Sequence, residues 1–169
     1  MKRLKAQYIG LITGGLMIAA SLFSFYVLKL PVESNFQLVV YLIFSAGILW
    51  SLINSFTFDA DKKSFKDYFS VGFKTFVIVA LLMAIFTYVF FSIHTEFRDA
   101  KIAENNRLIL AEGNHLPQEI EGNANQLKKL FLPIMVSSAV FRYLIVGALV
   151  SAVGAGFLSN KKGAEKKTV

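Results

Sequence analysis

Residues Thr75–Ile93 read TFVIVALLMAIFTYVFFSI, nineteen positions without a charged side chain. A helix rises about 1.5 Å per residue, so a run of this length matches the roughly 30 Å hydrocarbon core of a bilayer. Three further apolar stretches of at least that length flank it: Tyr8–Leu28, Leu38–Phe56 and Leu130–Leu158. The 169 residues are 55% hydrophobic with a mean hydropathy of +0.55, above the apolar usage of about 45–50% in a soluble domain. Only Thr95–Lys129 remains as an exposed segment of appreciable length, and it is too short for a sizeable core of its own. The sequence therefore predicts an all-α polytopic membrane protein, one membrane domain over residues 1–169, with four transmembrane helices.

Charge sets the expected orientation through the excess of Lys and Arg in cytoplasmic loops. Eleven lie on one side: Lys2, Arg3 and Lys5, then Lys62, Lys63, Lys66 and Lys74, then Lys161, Lys162, Lys166 and Lys167. Six lie on the other, Lys29, Arg98, Lys101, Arg107, Lys128 and Lys129, among seven acids: Glu33, Glu96, Asp99, Glu104, Glu112, Glu119 and Glu121. Both termini are expected in the cytoplasm. The net charge of +7 does not point to nucleic acid, because the basic residues gather at span ends without an aromatic-interleaved patch. With no Cys there is no disulfide framework, thiolate nucleophile or Cys-based metal site. The basic start and Ala19-Ala20-Ser21 imitate a signal peptide. The apolar run continues to Leu28, past the 7–15 or so residues of an h-region, so an uncleaved helix is expected.

Small residues mark the faces where helices should meet. Gly10-Leu-Ile-Thr-Gly14 is a GxxxG spacing, which flattens one face for close approach; packing within the chain is favoured over a dimer contact. In the last span Gly147, Ser151 and Ala155 form one row and Ala148, Ala152 and Gly156 its neighbour, both at four-residue steps. Pro31 suits a helix exit, and Asn54, one turn from the cytoplasmic end of span 2, is expected to bond to backbone or water. Ser64-Phe-Lys-Asp67 fits a capping box and predicts a helix starting at Phe65. Its apolar positions, Phe65, Tyr68, Phe69, Gly72, Phe73 and Phe76, recur at three- and four-residue steps, as an amphipathic approach to span 3 along the membrane surface would.

Between spans 3 and 4, over about 95–132, a helical hairpin extension is expected outside the membrane. Glu96–Leu110 is helix-compatible, with Lys101/Glu104 and Glu104/Arg107 three apart, and should continue span 3. Gly113-Asn-His-Leu-Pro117 reads as a stop and turn, and Gln118–Leu132 leads into span 4, with a bend at Pro133. Arg142 is the one conspicuous intramembrane charge. The run Leu130–Leu158 is longer than a bilayer core needs. Pinned by Lys161 and Lys162, span 4 covers about 139–158, with a basic tail over 159–169, and Arg142 then lies about a turn below the outer surface, where it can snorkel. Glu96 is its nearest partner by level, with Asp99 and Glu33 behind it.

No catalytic, cofactor-binding or metal motif stands out: no Ser/His/Asp context, no phosphate-binding Gly loop, no intramembrane carboxylate pair, and only His94 and His115 as imidazoles. The chain does resemble a known family. Ser64-Phe-Lys-Asp-Tyr-Phe-Ser-Val-Gly-Phe-Lys-Thr75, Phe91-Ser-Ile-His-Thr-Glu96, Val140-Phe-Arg-Tyr143 and Val146-Gly-Ala-Leu-Val-Ser-Ala-Val153 are similar to an uncharacterised four-span inner-membrane family of Bacteroidetes, domain of unknown function 4199. The resemblance implies a bacterial inner-membrane location and four spans, and brings no activity, cofactor or site residue. The expected role is a non-enzymatic structural or interaction protein, without cofactor, whose partners are the lipid bilayer and a second copy or other membrane proteins, not nucleic acid. The alternative is a small oligomeric transporter or channel subunit with Arg142 facing a polar cavity.

Overall fold

The computed structural model describes residues 4–31, 34–58, 64–113 and 117–164. Lys2, Arg3, Glu33, Lys62, Lys63, His115, Lys166 and Lys167, on which parts of the charge and histidine arguments rest, lie outside the described residues, as do the side chains of Glu112, Lys161 and Lys162. Among the described residues there are five helices: α1 (Ala6–Tyr26), α2 (Gln37–Phe58), α3 (Phe65–Ile93), α4 (Glu96–Glu112) and α5 (Pro117–Ala164). Four of them, α1, α2, α3 and α5, are long and apolar enough to cross a membrane.

Local chemistry explains three of the helix ends. At the start of α3 the Ser64 backbone N–H donates to Asp67 Oδ2 at 2.8 Å, and the Ser64 hydroxyl donates to the same oxygen at 2.7 Å. One orphan donor of the first turn is thereby satisfied, and Asp67 places negative charge at the positive end of the helix. α1 closes with a 6→1 bond from Leu28 N–H to the Phe23 carbonyl at 3.1 Å, and Leu30 N–H reaches back to the Ser24 carbonyl at 3.1 Å. Lys29 takes the left-handed conformation there, φ 51°, where glycine is usual. α4 ends at Gly113, φ 73°, a left-handed position that a residue without Cβ adopts freely.

The chain forms two compact units: residues 1–83 with 140–169, and residues 84–139. Helices α3 and α5 contribute to both. In the first unit α1 packs on α2, and the core is built from Ile9, Met17, Phe44, Ile48, Leu52, Tyr68, Phe76 and Val79. The helices approach through small residues. A Cβ on Gly10 would lie 2.9 Å from the Thr75 carbonyl oxygen, and one on Gly14 would lie 2.6 Å from Leu82 Cδ1, so this face of α1 seats α3. Gly47 of α2 receives Thr13 of α1, and Gly72 of α3 receives Ser151 of α5. Gly147 meets Phe76, with 2.6 Å between an added Cβ and the Phe76 Cβ, and Gly154 meets Leu52 and Leu49 of α2. Thus α1 and α5 each pack on both α2 and α3. In hydrocarbon no hydrophobic force drives helices together, so close approach and dispersion must do it.

The outside of this unit is as apolar as its inside. Leu16, Leu42, Ile53, Leu81, Ile145, Leu149 and Phe157 are all more than half exposed. Only 22–39% of the most apolar window of each candidate span is buried. Such a surface would aggregate in water; in hydrocarbon it is simply solvated. The apolar positions at the start of α3 split into two rows instead of forming one surface-facing stripe. Tyr68, Gly72 and Phe76 point into the bundle, while Phe65, Phe69 and Phe73 stack on one another at centroid spacings of 5.9 and 6.4 Å. Both rows advance by four, and neighbouring four-residue rows lie side by side on a helix.

The second unit holds the end of α3, α4 and the first part of α5. One expectation for the hairpin is corrected. Helix α4 does not continue α3: the helix breaks at His94–Thr95. His94 Nδ1 lies 2.6 Å from Glu96 Oε1, and side chains two apart do not face each other on a regular helix, so this contact and an unbroken helix exclude each other. Pro133, where a bend is expected, lies inside α5, which is helical throughout its 48 residues. Proline removes one helical donor, that for the Lys129 carbonyl; exposed surroundings there let water replace it.

Candidate functional site

Three places carry polar chemistry. The first is the break between α3 and α4. The His94 ring is sandwiched by aromatic neighbours, with its centroid 4.6 Å from that of Phe90 and 6.1 Å from that of Phe97. Phe91 meets both Phe97 and Phe131 edge to face, at 5.8 and 5.6 Å. These rings leave the His94 side chain 16% exposed, while the Glu96 side chain is 62% exposed. The Glu96 carboxyl is held below its ordinary value of 4.5, first by a hydrogen bond from its own backbone N–H and then by His94. Further along α4, Arg98 pairs with Asp99 at 2.9 Å and Arg107 with Glu104 at 3.1 Å.

The second is Arg142. It is exposed on α5, beside the row of Phe141, Ile145 and Leu149, exposed by 66%, 58% and 62%. Glu96, its expected partner, belongs to the other unit and carries the contact with His94.

The third is an open cleft of about 420 Å³ in the first unit, lined by Lys5 and Gln7 of the α1 start, Ser51, Asn54 and Ser55 of α2, and Lys74 of α3. Asn54 Nδ2 donates to the Leu4 carbonyl at 2.8 Å and ties the chain before α1 to α2. Below it Thr75 has one hydroxyl proton and close acceptors in Ser51 Oγ, at 2.8 Å, and the Val71 carbonyl, at 3.1 Å. Thr75 and Ser51 are fully or almost fully buried, so their mutual contact answers the need of buried hydroxyls for partners. Reading the sequence span by span missed this site. Lys5, Ser51 and Lys74 each have an ordinary explanation inside their own segment, and only packing joins them.

The small-residue rows divide. Gly147, Ser151 and Ala155 are buried, whereas Ala148, Ala152 and Gly156 are half-buried, with nothing within 4 Å of a Cβ on Gly156. Ser151 Oγ is buried without a hydrogen-bond partner; its place is explained by size, against Gly72. Among the described residues no three His, Cys, Asp or Glu side chains gather as metal ligands.

Four membrane-length helices with apolar surfaces inside and out define an integral membrane protein of the α-helical class. Residues 8–160 match the model of a family described as protein of unknown function, DUF4199, and the chain belongs to that family. Comparison with the curated proteins and with the solved structures returns no match.

Proposed function

We propose that the protein is a non-enzymatic structural or interaction protein of the bacterial cytoplasmic membrane, with both termini in the cytoplasm and the hairpin, about 95–132, displayed on the outer side. The build of α4 carries this reading. Its charges close on near neighbours in sequence, Arg98 with Asp99 and Glu104 with Arg107, and so neutralise one another instead of converging on a substrate. The same helix leaves Leu108 and Leu110 exposed by 53% and 65%. Apolar side chains on an otherwise polar helix offer a contact to another protein, a second copy or a membrane neighbour. The eleven-to-six distribution of Lys and Arg supports the orientation. The exposure of Arg142 beside an outward apolar row supports snorkelling to the headgroups over the transporter alternative.

Photo-crosslinking side chains at positions 108 and 110, in cells, test the reading against the same groups at Leu149 and Phe157. The hairpin positions should give discrete protein adducts and the span positions lipid adducts. Failure of both hairpin positions to capture protein would remove the interaction reading.

A further inference from the structure

We propose that the cleft between the start of α1, the end of α2 and the first part of α3 binds a phosphate-bearing anion, supplied by the headgroup of an anionic phospholipid. Two lysines, Lys5 and Lys74, line it together with Gln7 and Asn54, and among the described residues no Asp or Glu lines it. The start of α1 adds to this field. Lys5 stands in extended conformation at the N-cap, no side chain caps the helix, and its first turn holds no acid. Tyr8 N–H is taken by the Lys5 carbonyl at 2.9 Å, so what the α1 start brings to the cleft, through Ala6 and Gln7 of its lining, is the positive end of the helix dipole. Cavity, paired lysines and uncapped helix start converge on one place.

Volume and position select the ligand. A water takes about 30 Å³ of liquid volume, so about 420 Å³ holds a glycerophosphate group and some water. The start of α1 is recessed along α3: Thr75 Oγ1 lies 3.4 Å from the Ala6 carbonyl oxygen, ten residues or about 15 Å beyond the first residue of α3. The cleft thus opens on the flank of the bundle, where lysine stems cross from apolar wall to polar surface. The next residues along α1 and α2, Tyr8 and Ile53, are 55% and 53% exposed and face acyl chains. A phosphate inside with chains outside satisfies both surfaces. Soluble phosphate carries the same chemistry without the chains, and the test separates the two.

Native mass spectrometry of the full chain in detergent, titrated with phosphatidylglycerol or phosphatidylcholine, reads the site. Phosphatidylglycerol should be retained preferentially. Lys5→Gln with Lys74→Gln should weaken it at least about tenfold, from about fivefold per lysine near a membrane surface. Lys5→Arg with Lys74→Arg should retain it, and Lys128→Gln with Lys129→Gln should leave it unchanged. Both lysines of the cleft are exposed, and an unchanged melting temperature verifies the fold. A parallel melt with inorganic phosphate, stabilised in the wild type and not in the cleft variant, without lipid preference, would support the site with a soluble ligand. Equal losses in both glutamine pairs, or no loss in the cleft variant, would overturn the proposal.

Discussion

Gly10 and Gly15 stand five positions apart on α1 and meet different surroundings. A Cβ on Gly10 would press on the Thr75 backbone oxygen, which cannot rotate away, whereas nothing lies within 4 Å of one on Gly15. Gly10→Ala should therefore destabilise the bundle by about 1–3 kcal/mol, the usual cost of overpacking. Gly15→Ala should be neutral or slightly stabilising, because alanine favours helix over glycine. Melts of both variants in detergent check the pair, and equal effects would contradict the assigned face. Arg142 belongs to the same scale. It stands exposed beside the outward row of Phe141, Ile145 and Leu149, and a lysine stem reaches the same headgroups, so Arg142→Lys should change stability by less than about 0.5 kcal/mol, and Arg142→Leu should insert normally. A pairing with Glu96 would instead make Glu96→Ala strongly destabilising, with recovery in the double variant with Arg142→Leu. Thermal melts of these variants distinguish the outcomes, and additive losses rule the pairing out.

At the scale of the element, helix starts were more legible than helix continuity. Ser64 and Asp67 lie three apart, so a capping contact is written in the order of residues, and α3 begins at Phe65. The break before α4 is not written that way. Nothing between Phe86 and Leu110 is Gly or Pro, and the break goes with the seating of the His94 ring against Phe90 of α3 and Phe97 of α4. The Glu96–His94 contact gives that break a pH signature. Because the folded carboxyl titrates below its ordinary 4.5, its contribution is present above that value and is lost as pH falls through the lower, folded one. Carboxyl carbon resonances in micelles should show Glu96 titrating below the ordinary carboxyl value of 4.5. His94→Ala should raise its midpoint only in part, since the bond from its own backbone N–H remains. A midpoint that His94→Ala leaves unmoved would remove the histidine from the explanation.

For the whole molecule, orientation is the testable property. Reporter fusions after Lys63 and at the C-terminus should report cytoplasm, and one near Gly113 the outer side; a cytoplasmic signal at Gly113 would invert the proposed arrangement. The four apolar runs, their membrane length, the α3 cap and the stop at Gly113 could all be read from the order of residues. Each depends on one segment and its solvent: a long apolar run without charge has no low-energy place except hydrocarbon, and a cap closes within one turn. Tertiary structure alone decided which glycine row meets which helix, that Tyr68 and Gly72 belong to the bundle core, and that Lys5, Ser51, Asn54 and Lys74 share one cleft. The physical reason is the same in each case. In hydrocarbon every face of a span is apolar, so periodicity cannot mark the buried one, and contacts between distant segments depend on shapes that appear only when the helices pack.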